Sequence, residues 1–322
     1  EAELSFLDRA PTAEARHMGK CMHSMMLMLD APEHTRIRGL HRAPFLPRGI
    51  KRWEPLVRET VADLLAKLPR GSVFDLKETY ALPTPEIVIC EILGVPHRDH
   101  KRWEAWGEVI TKRGFKDPSQ QGIEAVYDAH VAFGAYVADL IAARRAQPAD
   151  DLLSQLTSAS DNGDRLTDDE LIGNFILLVV AGHETTANAI TSAVGLLMRN
   201  RAQWERLVDD RGLVDAAIDE SLRLEGAQRF TVPRVAAEDI ELGGTVVPAG
   251  ERAIFMIEAA NRDPEVFADP SEFDIGRSPN PHIAFGSGPH LCLGMHLARL
   301  EMSAALAGLV DRFPDLQLAG DP

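Results

Sequence analysis

Apolar residues recur at three-to-four-residue spacing along most of the chain, the period that lays a stripe down one face of an α-helix. Arg52 to Leu68, Glu124 to Arg145 and Leu297 to Phe313 carry it over long stretches. Strand-like pattern is confined to a late region. There Ile240-Glu241-Leu242, Gly243-Gly244 and Thr245-Val246-Val247 read as a hairpin with a two-residue turn. Pro248-Ala249-Gly250 turns the chain again, and Arg252 to Ile257 reads as a further strand. Proline and glycine punctuate the segment from Asp263 to Gly294. No stretch has the composition of a linker, so the pattern predicts one mainly α domain over 1–322 with a small β region.

One helix is marked at its start. Thr167-Asp168-Asp169-Glu170 is a capping box, in which the threonine and the glutamate satisfy each other's backbone amides. The apolar pattern then continues to about Arg199, a span of roughly 50 Å at 1.5 Å per residue. Its apolar residues fall all round the cylinder, which predicts burial.

Composition narrows the function. The chain has 322 residues and a net charge of −15, from 34 Lys plus Arg against 49 Asp plus Glu. Such an acidic surface repels phosphate backbones, so nucleic acid is excluded as a partner. The longest apolar run, Phe175 to Gly182, is too short to cross a bilayer. The opening stretch, EAELSFLDRA, is mixed and charged and has no secretory core. Three widely spaced cysteines, Cys21, Cys90 and Cys292, form no disulfide framework and fit a reducing, cytoplasmic setting.

Cys292 lies in FGSGPHLCLG, from Phe285 to Gly294, just before the helix MHLARLEMSAALAGLV. The positive end of that helix favours a thiolate. Gly286, Gly288 and Gly294 let the backbone approach a flat ligand, and His290 can donate to an acidic group. From the residues alone, a structural cysteine in a glycine-rich turn and an activated thiolate both remain open. The spaced set Phe285, Gly288, His290, Cys292 and Gly294 resembles the haem-ligand loop of the cytochrome P-450 family, Phe-x-x-Gly-x-His/Arg-x-Cys-x-Gly. The resemblance implies a P-450-like fold around a buried haem b, with Cys292 as axial thiolate of the iron. It also implies that His290 contacts a haem propionate and that Phe285 shields the sulfur.

Further segments match in family order. Ala181-Gly182-His183-Glu184-Thr185-Thr186 places a weak helix position and a polar cluster inside an apolar helix. It looks like the family's Ala-Gly-x-Asp/Glu-Thr-Thr motif. That implies Ala181 and Gly182 against the haem, Thr185 hydrogen-bonding dioxygen or the water beside it, and Glu184 relaying protons. Glu220 and Arg223 stand three apart on one helical face and resemble the structural Glu-x-x-Arg pair. The basic residue that often completes that pair is replaced by Glu272, leaving Arg277 or Arg262 as the third member. His34 and Arg38 fall four apart on one face, as two donors to one carboxylate require. They resemble the family's His-x-x-x-Arg, and Arg234 resembles its propionate-binding arginine.

The resemblance implies a bacterial-type monooxygenase that inserts one oxygen atom from O2 into a small apolar substrate, most directly by C–H hydroxylation. Electrons would come from NAD(P)H through a ferredoxin or flavin-type reductase, or a fused reductase domain outside this chain, because the chain has neither a dinucleotide fingerprint nor a cysteine cluster. A peroxide-driven peroxygenase and a non-catalytic haem-binding protein are the alternatives, and the Glu184–Thr185 pair favours dioxygen chemistry. Phe230, Val232 and Val179 are the expected apolar pocket lining. His34 comes early and the chain stops soon after Leu316, so the expectation is a domain truncated or incomplete at both ends.

Overall fold

A computed structural model describes residues 10, 12–110, 120–160 and 163–320, so all but the last residue of the EAELSFLDRA stretch lies outside it. The helices are α1 (Ala13–His23), α2 (Glu33–Phe45), α3 (Glu54–Lys67), α4 (Pro83–Leu93), α5 (His100–Glu108), α6 (Gln120–Ala146), α7 (Leu152–Ser158), α8 (Asp168–Arg199), α9 (Arg201–Asp209), α10 (Val214–Glu225) and α11 (Met295–Arg312). The strands are β1 (Arg234–Val235), β2 (Ile240–Leu242), β3 (Thr245–Val247) and β4 (Arg252–Ala253). The fold is mainly α with a small β region, as the apolar period predicts.

The marked helix starts where its cap places it. The Thr167 N–H donates to Glu170 Oε2 at 2.8 Å and the Glu170 N–H to Thr167 Oγ1 at 3.3 Å, and α8 then runs unbroken to Arg199. The hairpin is also as expected, with Ile240 opposite Val247 and Leu242 opposite Thr245. The strand expected over Arg252 to Ile257 is shorter. Only β4 forms, paired antiparallel with β1. Beyond it the Thr231 N–H donates to the Phe255 carbonyl at 3.0 Å while the Phe255 N–H donates to the Thr231 hydroxyl at 3.2 Å, so the regular ladder does not continue. Ile257 is buried and opens a helical turn to Ala260.

The residues group into two compact units. The first holds 1–60 and 83–184, the second 61–82 and 185–322. In the first, α6 packs against α1, α5 and α7 around Phe133, Val137 and Leu153. Arg36 of α2 bridges Asp164 at 3.4 Å and the capping-box Glu170. Arg144 pairs with Asp151 and donates to the Gly94 carbonyl at 2.8 Å. In the second unit α11 packs on α10 and α9, and Trp204 donates from Nε1 to the Pro314 carbonyl at 2.7 Å. No helix is long and apolar enough to cross a membrane among the described residues.

Besides Glu220, the core of the second unit buries the carboxyl of Glu301. Glu301 of α11 is 1% exposed, and neither of its oxygens has a hydrogen-bond partner among the described residues. Burial pushes that carboxyl well above its ordinary value. A group that holds its proton more tightly when folded subtracts stability as pH rises above the unfolded value of about 4.3. Glu301→Gln keeps the shape without the titration. Urea midpoints of the two proteins should therefore coincide near pH 4 and separate by pH 8, with the variant the more stable. A less stable variant at pH 8 would show that Glu301 is ionised and paired.

Candidate functional site

Cys292 sits on a loop shaped by glycine. Gly286 and Gly288 have φ of 74° and 71°, a region that side chains disfavour. They fold the chain back so that the Cys292 N–H donates to the Phe285 carbonyl at 2.9 Å and the Leu291 N–H to that of Gly288 at 3.0 Å. Two residues later Gly294 is the N-cap of α11. It offers no side-chain oxygen, and the first turn contains no acidic residue. The positive end of the helix therefore stays uncompensated by the chain beside the sulfur, which favours the thiolate. Gly294 itself has φ of −83°. A Cβ there would meet nothing within 4 Å, so the protein's own packing does not call for glycine at this position.

The stem of the loop is braced by polar contacts. The Ile283 N–H donates to Asn261 Oδ1 at 2.8 Å. The Ala284 N–H donates to His282 Nδ1 at 3.2 Å, which leaves Nε2 to donate to Asp219 Oδ1 at 3.4 Å. Arg299 pairs with the same carboxylate and lies 5.3 Å from the Phe285 ring centroid. Burial opposes the charge on Asp219, but His282 and Arg299 together hold its carboxyl below the ordinary value. Nothing in the local spacing of Asp219, Asn261, His282 and Arg299 marks them in the sequence. The one signal is that Asp219 precedes Glu220.

Behind this stem lies a buried ion network. Glu220 and Arg223 side chains are both 0% exposed and meet through two contacts, Nε–Oε2 at 2.8 Å and Nη2–Oε1 at 2.9 Å. Arg223 also donates to the carbonyls of Asn261, Pro270 and Glu272 at 2.7–2.9 Å. Arg277 reaches both oxygens of Glu220 at 3.1 Å, and the Asp274 N–H and Asn280 side chain add one bond each. Of the two candidates for third member, Arg277 is therefore the one in place. Arg262 pairs instead with Glu258 at 2.8 Å, and Glu272 takes part through its backbone carbonyl.

The remaining predicted residues sit on regular elements. On α8, Ala181 is exposed and residues 182–185 are half-buried, whereas residues 171–176 and 186–187 are buried. Gly182 packs on Ile89, and His183 bonds the Val179 carbonyl at 2.9 Å and lies edge-on to Trp103. The expectation of burial all round thus fails at Ala181 to Thr185, the segment that carries the motif. Val179 is 1% exposed and belongs to the core, so it is not pocket lining. Phe230 and Val232 are 54% and 36% exposed, beside β1. His34 is buried and Arg38 half-buried, one turn apart on α2, and Arg234 is half-buried in β1.

The family model described as Cytochrome P450 matches residues 126–318. The chain belongs to the cytochrome P450 family. It is 41% identical over 297 residues to cytochrome P450 107B1 of Saccharopolyspora erythraea, covering 92% of this chain and 72% of that protein. It is 38% identical over 296 residues to the vitamin D(3) 25-hydroxylase of Pseudonocardia autotrophica, with 92% and 72% covered. The solved structure of P450BioI in complex with an acyl carrier protein ligated to hexadec-9Z-enoic acid superimposes with a TM-score of 0.89 at 34% identity, covering 96% of this chain and 80% of that one. This cytochrome P450 is a haem monooxygenase.

Its three thiols differ in their surroundings. Burial and the Asp169 charge push the Cys21 thiol up to about 12, and burial raises that of Cys90 further. Both are enclosed, whereas Cys292 is exposed on its loop. The donor set therefore fits the cofactor at Cys292 alone. The loop in turn depends on the network behind it. Removing one partner from a buried charge pair costs about 3–5 kcal/mol. Glu220→Ala, which strands Arg223 and Arg277 together, should lower the unfolding free energy by at least that much in urea titrations. Arg277→Ala should cost less, because Arg223 keeps both of its contacts to the carboxylate.

Proposed function

We propose that this cytochrome P450 inserts one oxygen atom from O2 into an apolar organic substrate, by C–H hydroxylation, using haem b held at Cys292. In this reading it acts in the cytoplasm, with electrons that originate in NAD(P)H and arrive from a ferredoxin or flavin-type partner. The observation that carries the reading is the exposed Cys292 thiol on a glycine-shaped, polar-braced loop at an uncapped helix start. When bound, haem would supply a redox-active iron for dioxygen reduction, with the Cys292 thiolate as the electron-donating ligand that would hold it. Cys292 contributes that thiolate, stabilised by the dipole of α11. Gly294, which packing does not require, leaves room for a flat ring to approach. By the family resemblance, His34, Arg38, Arg234 and His290 are the candidate donors for the propionate carboxylates.

Glu184 and Thr185 occupy the uncovered middle of α8. Thr185 Oγ1 donates a proton toward the reacting oxygen, and the Glu184 carboxyl replenishes it from the solvent side, as positioned general acids do. Phe230, Val232, Phe255 and Met256 are exposed apolar residues in the segments flanking β1 and β4. They suit an apolar substrate, and two relatives point the same way, one named for vitamin D(3) and the other solved with a long-chain acyl group.

The reduced protein under carbon monoxide should show the thiolate-type Soret band, and Cys292→Ala should lose it while α-helical circular dichroism is unchanged. Persistence of the band in that variant would falsify the assignment. For Thr185→Ala, product formed per NAD(P)H consumed should drop severalfold while oxygen uptake continues. Unchanged coupling would remove Thr185 from proton delivery. Turnover with hydrogen peroxide and none with NAD(P)H, O2 and surrogate redox proteins would overturn the dioxygen reading.

A further inference from the structure

A cluster in the first unit has no part in the chemistry above. His17 and Cys21 stand four apart on one face of α1, and Asp169 lies in the first turn of α8. Their ligand atoms all lie within 4.8 Å of one another. His17 Nε2 is 3.5 Å from Cys21 Sγ and 3.3 Å from Asp169 Oδ1. We propose that His17, Cys21 and Asp169 form a binding site for a zinc-class divalent cation that ties α1 to the start of α8.

The distances favour a shared cation over a hydrogen-bond cluster. Zinc bonds of about 2.3 Å to sulfur and about 2.0 Å to nitrogen and oxygen, at tetrahedral angles, place S and N about 3.6 Å apart and N and O about 3.3 Å apart. The observed edges are 3.5 Å and 3.3 Å. An N–H···O bond is normally 2.7–3.2 Å, and the His17–Asp169 contact at 3.3 Å lies beyond that range. Thiolate, imidazole and carboxylate together select zinc over calcium or magnesium, which take oxygen ligands. The two anionic ligands balance the charge of the dication. His17 and Asp169 side chains are 52% and 39% exposed, so an ion can enter and keep water as a fourth ligand.

The framework is rigid. A Cβ on Gly173 would collide with the Cys21 carbonyl oxygen, so glycine is what lets α1 lie this close to α8. Asn174, buried on α8, accepts from the Met26 N–H at 2.9 Å and donates to the Ser24 carbonyl at 3.0 Å, pinning the end of α1. The neighbouring acids are engaged elsewhere, Asp168 with Arg145 and Glu170 with Arg36. That leaves Asp169 facing the His17–Cys21 pair. The second cluster of this kind, Glu91, His97 and His100, has no thiol, and His100 Nε2 already meets the Val95 carbonyl at 3.4 Å.

Binding is a proton-for-metal exchange. The Cys21 S–H bond breaks, the proton goes to buffer, and a Zn–S bond forms with no change of oxidation state. The test is zinc titration of the holoenzyme by calorimetry in two buffers of different ionisation enthalpy, with a thermal-unfolding series alongside. One zinc per chain should bind with release of one proton, and the unfolding midpoint should climb with zinc concentration. His17→Gln alters an exposed side chain and should weaken zinc binding by on the order of 100-fold, since even outer-shell losses cost 10–100-fold. His97→Gln should bind zinc as the parent does, and Cys21→Ser should abolish the proton release. Equal zinc affinity in His17→Gln and the parent would overturn the proposal, as would absence of tight zinc in the parent.

Discussion

The two carboxylate oxygens of Glu220 are the point from which the cysteine side of the second unit is held. Taking a carboxylate wholly out of water costs several kcal/mol even after relaxation, and the fold offsets this with donors from every side. Two come from Arg223, one from Arg277, one from the Asp274 backbone and one from Asn280. Arg223 spends its remaining donors on the carbonyls of Asn261, Pro270 and Glu272. The stretch between Asn261 and Asn280 has almost no regular ladder of its own. Its backbone is ordered because its carbonyls are what a buried guanidinium needs. Asn261 then receives the Ile283 N–H, which carries that order onward to the loop of Cys292.

The three cysteines show how far environment, and not residue type, sets thiol chemistry. Cys90 is buried, and burial holds its proton. Cys21 is enclosed as well, but faces a histidine and a carboxylate that can share a cation. Cys292 is exposed, at the positive end of a helix whose first turn has no acid. The nearby carboxylate, Asp219, is balanced by Arg299 and His282, so it places no unbalanced negative charge against the sulfur loop. The same physics of dipole, burial and neighbouring charge yields an inert thiol, a metal-ligand candidate and a thiolate candidate in one chain.

Much of this architecture is legible from local pattern. The capping box at Thr167 and Glu170 locates the start of α8 because both bonds close within four residues. The hairpin register follows from two short alternating runs and a two-residue turn. The loop from Phe285 to Gly294 is readable because its glycines set its turns and its cysteine stands at a fixed offset from the next helix. The Glu-x-x-Arg pair is readable for the same reason, as three residues of helix bring its members together. In each case the partners are a few residues apart, so covalent geometry alone places them within reach.

What the sequence by itself determined is the set of elements, their ends and the short motifs they carry, since these depend on propensity, period and local hydrogen bonds. What only the tertiary structure decided depends on which distant groups meet. Arg277 and Arg262 are equal candidates in sequence, and only the packing puts one on Glu220 and the other on Glu258. Val179 and Phe230 are both apolar, yet one turns into the core and the other to the surface. Arg252 to Ile257 has a strand's composition, but only Arg252 and Ala253 meet a partner strand. His17 and Cys21 gain a third ligand from a residue 148 positions beyond Cys21. A buried charge or an edge strand must be satisfied by whatever the fold brings to it, and no local pattern records that choice.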